Sequence, residues 1–176
     1  MRRASRLYAV LLLVIAVAST AVAVYQYYSF REEKLRLLEE FRSSTSFNLL
    51  RVNGEVDLLL YLLERNATVD EIRLILDSII SNSHVLSETY SLLHRHTGDE
   101  RLWKVHLSFA NLYSFALDVV NDPPSSIIVR LREKAGTLSE LSNLLRSIRQ
   151  KYHNDLRLAP EEDIERLVSL TEELLE

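Results

Sequence analysis

From Leu7 to Phe30 the chain carries no charged side chain, and three arginines, Arg2, Arg3 and Arg6, stand ahead of this run. A bilayer hydrocarbon core about 30 Å thick is crossed by roughly 20 apolar residues in helical form, and Leu7 to Tyr28 supplies that length. Lipid offers no partner to an open backbone amide, so a lone crossing segment must be a helix. Tyr8 lies at one end of the run and Tyr25, Tyr27 and Tyr28 at the other, where amphipathic rings settle into headgroup layers. The arginines ahead of the run direct the N-terminus to the cytoplasm and the remainder across, a bias that Arg31, Lys34 and Arg36 just after the run weaken. The expectation is a single-pass signal-anchor. Residues 1–30 form a cytoplasmic tail and transmembrane helix that meets lipid through Leu7 to Tyr28, and residues 31–176 form an extracytoplasmic domain.

A cleaved secretory signal is the competing reading, with Ala21-Val22-Ala23 as the processing site and a secreted product after cleavage near Ala23. The uncharged run is longer than a usual signal core and finishes in aromatics, which favours retention. Basic residues ahead of a long apolar helix also resemble the start of a prepilin over the first thirty residues. No acidic residue lies near the start of the run, and no family is assigned on that basis.

Beyond the anchor, the 21 Lys and Arg less those three arginines leave 18 against 25 Asp and Glu, a net charge of −7. Phosphate backbones need a basic surface, so nucleic acid is not an expected partner. The absence of cysteine excludes disulfides, thiolate metal sites and thiol nucleophiles, and leaves the fold to rest on packing. Only Gly54, Gly98 and Gly136 are glycines, too scattered for a phosphate-binding loop, a dinucleotide fingerprint or a nucleophile elbow.

The remainder reads as helices over about 31–65, 69–96, 100–121, 124–153 and 160–175. In the first, Leu38, Thr45, Val52 and Leu59 recur every seven residues beside Leu49, Val56 and Leu63, the interleaving of a packed seam. The register passes through Asn53-Gly54 without period-two flanks, so a continuous helix outweighs a hairpin there. Thr68 and Glu71 form a capping box ahead of a stripe of Ile72, Leu76, Ile79, Leu86, Tyr90 and Leu93, which Gly98 ends. Asp99 caps the third helix, whose apolar face is Leu102, Val105, Phe109, Leu112, Ala116 and Val119 beside a polar strip that includes Ser108. Pro123-Pro124 starts the fourth, striped by Ile127, Leu131, Leu138, Leu141, Leu145 and Ile148, and Pro160 starts a short fifth through Ile164, Leu167 and Leu174. Short connections make neighbours antiparallel. The expected fold is therefore all-α, an N-terminal transmembrane helix continuing into an antiparallel up-and-down bundle of about four long helices plus a short C-terminal helix. The layout resembles the stalks and sensor ectodomains of single-pass proteins at the level of fold alone.

No constellation identifies a reaction, and no catalytic, cofactor-binding or metal-binding residue is assigned. His94, His96 and His106 gather near the Gly98 turn, but residues two apart on a helix point about 200° apart, so His94 and His96 cannot share an ion. His84 and Glu88 form an ordinary one-turn surface pair. Asn66-Ala67-Thr68 is a glycosylation sequon in an exposed turn, Trp103 is expected in the core, and Tyr27, Tyr28 and Phe30 fit an interfacial belt. The function expected is that of a non-catalytic, membrane-anchored interaction or scaffold module, acting on a protein partner or by self-association. A sensory or small-ligand-binding ectodomain is the alternative.

Overall fold

The computed structural model describes the backbone of residues 2–176 and the side chains of residues 15–33, 36 and 39–176. Among these residues the fold is all-helical, without a strand. It comprises α1 Arg2–Glu64, α2 Val69–Thr97, α3 Glu100–Asn121, α4 Pro124–Glu133, α5 Ala135–Tyr152, a 3-10 turn at Leu156–Leu158, and α6 Glu161–Leu175. The chain divides into two compact units, Met1–Phe41 and Arg42–Glu176.

In the first unit the backbone is helical from Arg2, and every described side chain from Ile15 to Glu33 is exposed. Among the described residues no helix is long and apolar enough to cross a membrane. The expected span draws its most apolar portion from residues 7–14, whose side chains lie outside the described set.

The second unit opens with the expected seam of α1: Thr45, Leu49, Val52, Val56, Leu59 and Leu63 are all buried, while Leu38, assigned to the same seam, lies outside the described side chains. The helix runs through Asn53-Gly54 unbroken. Its end is built by Asn66, whose φ of 54° is left-handed. The Ala67 amide then reaches back to the Leu62 carbonyl (3.0 Å) and the Asn66 amide to the Leu63 carbonyl (3.4 Å), a Schellman closure with asparagine in the glycine position. Thr68 and Glu71 complete the capping box of α2, and Gly98, at φ 69°, ends that helix on the His94 carbonyl. The α2 stripe and the α3 face are buried as read from the sequence, and Ser108, assigned to the polar strip, is buried with them because its hydroxyl is satisfied by the Lys104 carbonyl.

The expected helix over 124–153 is in fact two, parted at Lys134, where the backbone relaxes to φ −93° and ψ 1°. The cause lies in α6. That helix packs on both α3 and α5, whose backbones nowhere approach within 8 Å of each other, Cα to Cα, whereas α4 packs directly on α2 and α3. Thus α6 separates α5 from α3 up to the level of Lys134, beyond which α4 closes onto the core. Lys134 marks the junction by donating to the Glu173 carbonyl (2.7 Å), satisfying an orphan acceptor in the last turn of α6. That end, where glutamates oppose the helix dipole, is also tied by Thr137 to the Glu173 carboxylate. Gly136, just past the junction, removes some of the helix's resistance to this bend.

Around the unit the helices follow the order α1, α2, α3, α6, α5. Five helices in a closed ring cannot alternate direction throughout, so one neighbouring pair must be parallel. That pair is α3 with α6: Lys104 near the start of α3 meets Glu161 and Glu165 near the start of α6. The short last helix is therefore an integral member of the ring and not an appendage to a four-helix bundle.

Leu145 is wholly buried, and Leu145→Ala is expected to lower the unfolding free energy by about 2–5 kcal/mol in urea titration of the helical signal. Gly54 shows the opposite sign. A Cβ there meets nothing within 4 Å, so Gly54→Ala should raise helix stability by up to about 1 kcal/mol in the same titration.

Candidate functional site

Within the bundle unit α1 presents three different faces. Its inner seam is apolar. The flank toward α5 is polar and centred on Asn53, which is fully buried. The Asn53 amide donates to the Ser142 hydroxyl (2.8 Å) and carbonyl (3.2 Å), while the Arg149 guanidinium donates to its oxygen (2.6 Å). The Ser142 hydroxyl donates in turn to Asp57, whose carboxylate also receives two bonds from Arg146 (2.8 and 2.9 Å). Arg149 continues to the Asn154 side chain (3.1 Å), and Ser46 reaches the Asn154 carbonyl (3.4 Å). On the flank toward α2, Glu55 accepts from Ser78 and from Asn82 (2.8 Å), leaving its second oxygen buried without a partner. These ladders fix the register of α1, because a one-residue slide would strand every buried donor and acceptor at once.

The third face of α1 points away from the bundle and is apolar: Phe47 is 54% exposed, Leu50 46%, Leu58 41% and Tyr61 49%. Their spacing of three, four, four and three residues, counted through Gly54, holds them on one side of the helix. The Arg51 guanidinium lies 4.7 Å from the centre of the Phe47 ring, and that of Arg65 lies 5.3 Å from Tyr61. The sequence reading passed over both features. Asn53 was weighed only as half of a hairpin signal, and the outer stripe was masked by the stronger inner heptads that share the helix.

The residues singled out in sequence behave differently from one another. His94 and His106 do meet near the α2–α3 joint, but through Trp103, whose ring lies 5.6 Å from one imidazole and 4.6 Å from the other. Their Nδ1 atoms are committed, that of His94 to the Asp99 carbonyl (3.0 Å) and that of His106 to the Ser87 carbonyl (2.9 Å). His96 is exposed and apart. Among the described residues no three His, Cys, Asp or Glu side chains come together as a cation site. Trp103, expected in the core, is 38% exposed because two imidazoles, and not the apolar seam, receive it. The His84 ring packs against Tyr113 of α3 at 5.3 Å instead of working along its own helix with Glu88.

Asn66 is exposed and left-handed, its side-chain oxygen held by Arg132 (2.5 Å), and the Thr68 hydroxyl is occupied by Glu71 (2.8 Å). Tyr27 and Tyr28 touch edge to face at 5.8 Å, and both, like Phe30, are exposed. A shallow groove runs beside the α4–α5 junction between Leu60, Leu63 and Gly136, with Glu64 and Arg132 at its rim.

Where Thr45 enters the bundle, Tyr90 is buried and lies over Phe109, ring centres 6.3 Å apart and nearly parallel. Burial, with Asp155 nearby, drives its phenol far above the ordinary range, so it stays a neutral structural hydroxyl. Asp155 caps the 3-10 turn through the Arg157 amide (3.1 Å) and takes two further bonds from the Arg157 guanidinium (2.8 and 2.6 Å). Burial alone would raise the Asp155 carboxyl, but the Arg157 hydrogen bonds and charge outweigh it and hold the group below its usual range. The His106 Nδ1 also lies 2.9 Å from the hydroxyl of the buried Ser87.

No protein-family model, no curated protein and no solved structure matches this chain.

A carboxylate whose pKa is lowered by folding contributes stability above its unfolded pKa, near 4, and that contribution disappears as pH falls through the folded value. The bundle should accordingly lose stability below about pH 4. Asp155→Asn is expected to weaken the protein at pH 7 and to flatten the acid limb of a stability-versus-pH curve measured by urea unfolding.

Proposed function

We propose that this chain is a single-pass, membrane-anchored helical module that acts by contact with another protein and not by catalysis, with its N-terminus in the cytoplasm and its bundle outside. The observation that carries the contact reading is the outer stripe of α1. Four large apolar side chains lie in a row on a helix whose opposite face is already closed against the core, the pattern a partner helix covers. A module of this kind needs neither an assembled acid–base pair nor a bound metal, and its electronegative bundle suits a protein partner better than nucleic acid.

The anchor half of the reading is supported by the uncharged run from Leu7 to Phe30, the arginines ahead of it, and the tyrosines that flank it. The full chain is expected to float with lipid vesicles on a density gradient and to stay with them after an alkaline wash. Recovery of a soluble product beginning near Val24 would replace the anchor with a cleaved signal. Chemical cross-linking in native membranes should yield a discrete adduct that Leu58→Glu removes, and a strict monomer under those conditions would overturn the contact reading.

A further inference from the structure

We propose that Asn66 is a site of N-linked glycosylation, taking an oligosaccharide from a lipid-phosphate carrier on the extracytoplasmic side of the membrane. The inference rests on the reading that the bundle lies outside.

Of the eight asparagines in the chain, only Asn66 has a hydroxyl residue two positions on, with alanine and not proline between them. Sugar transfer to asparagine requires that hydroxyl as well as the amide. The motif falls in the connection between α1 and α2, where Asn66 and Thr68 are both exposed.

The local geometry leaves the reacting atom open. Asn66 occupies the left-handed position that closes α1, with its backbone amide on the Leu63 carbonyl (3.4 Å) and that of Ala67 on the Leu62 carbonyl (3.0 Å), so the closure is made by the main chain. A guanidinium only donates, so the side-chain atom that faces Arg132 at 2.5 Å is the oxygen, and Nδ2 is turned away from it. Among the described residues that Nδ2 has no hydrogen-bond partner. The side-chain amides of Asn48, Asn53, Asn82 and Asn121 all donate within the fold. A glycosylated asparagine keeps its oxygen and one N–H, and gives up a second N–H that nothing here uses. The bond to Arg132 and the closure of α1 both survive the modification.

Thr68 sets the timing. Its oxygen accepts from the Glu71 amide (3.3 Å) and its proton goes to the Glu71 carboxylate (2.8 Å), the reciprocal cap of α2. Folding thus occupies the hydroxyl that a transferase must read, so the sugar is added to the emerging chain before the first turn of α2 closes. The transfer forms a bond from Nδ2 to the anomeric carbon of the carrier-linked sugar and breaks that carbon's bond to a phosphate oxygen. The lipid phosphate departs with the bonding electrons, and a base on the transferase takes the amide proton.

The full chain is produced in cells whose membranes carry such a transferase, extracted in detergent, and digested for mass spectrometry. The peptide containing Asn66 is expected to carry a ladder of monosaccharide masses that fragmentation removes. Asn66→Gln and Thr68→Asn should each abolish the ladder, and Thr68→Ser should keep it. Asparagine caps a helix as threonine does, so the unfolding midpoint of Thr68→Asn should match that of Asn66→Gln, which separates loss of the motif from loss of the fold. Pro124→Asn reports topology independently, because with Ser126 it installs a second motif at the exposed start of α4. Sugar at position 124 of that variant with none on Asn66 would overturn the site while leaving the bundle outside. Sugar at neither position would bring down the orientation and the site together. A ladder that persists in Thr68→Asn would overturn the motif as its address.

Discussion

The bundle depends on the exclusion of water from one seam of α1, where Leu49, Val52, Val56 and Leu59 are completely inaccessible. With no cysteine for a disulfide, apolar burial is the main force available, and short connections convert it into a defined arrangement by leaving successive helices nowhere to go but back along one another. Once α1 is seated, its flanks fall against α2 and α5, and the buried ladders from Asn53 and Glu55 fix it axially. Apolar packing supplies most of the attraction, and the hydrogen bonds supply the register.

The same helix shows why faces matter more than overall hydrophobicity. Asn53 lies next to Val52 in sequence yet belongs to a polar interface, and Leu58 precedes the buried Leu59 yet points outward. A helix offers every neighbour a different direction, so a chain rich in leucine can satisfy a core, a hydrogen-bonded flank and an outward surface within twenty or so residues. The three-way division of α1 is what turns a structural element into a candidate for recognition.

Much of the fold was legible because local physics wrote it into the sequence. Thr68 with Glu71, Gly98 and the Pro123-Pro124 pair act within a few residues of where they stand, and each placed a helix end within a residue or two. The inner heptads named nearly every core side chain. Distance defeated the rest. The division at Lys134 follows from α6 wedging beside α5, an event set by residues some thirty positions later, and no local pattern announces it. Trp103 was assigned inward on hydrophobicity, whereas its position follows from His94 and His106 across the α2–α3 joint. Asn154 takes a left-handed conformation, and the 3-10 turn that buries Leu156 against the core depends on Asp155 and Arg157 acting together. The outer stripe of α1 was written in plain three–four spacing and was hidden only because a second, stronger pattern occupied the same residues.

The insertion of α6 between α3 and α5 also sets an order of events during synthesis. Most of the bundle leaves the ribosome before the helix that completes its ring, so the faces of α3 and α5 that α6 will cover stay wet until Glu161–Leu175 emerges. A nascent chain waits, oily side open, for this fifteen-residue helix. Chains that stop short of it would display that open side permanently, a mark that chaperones and proteases can read.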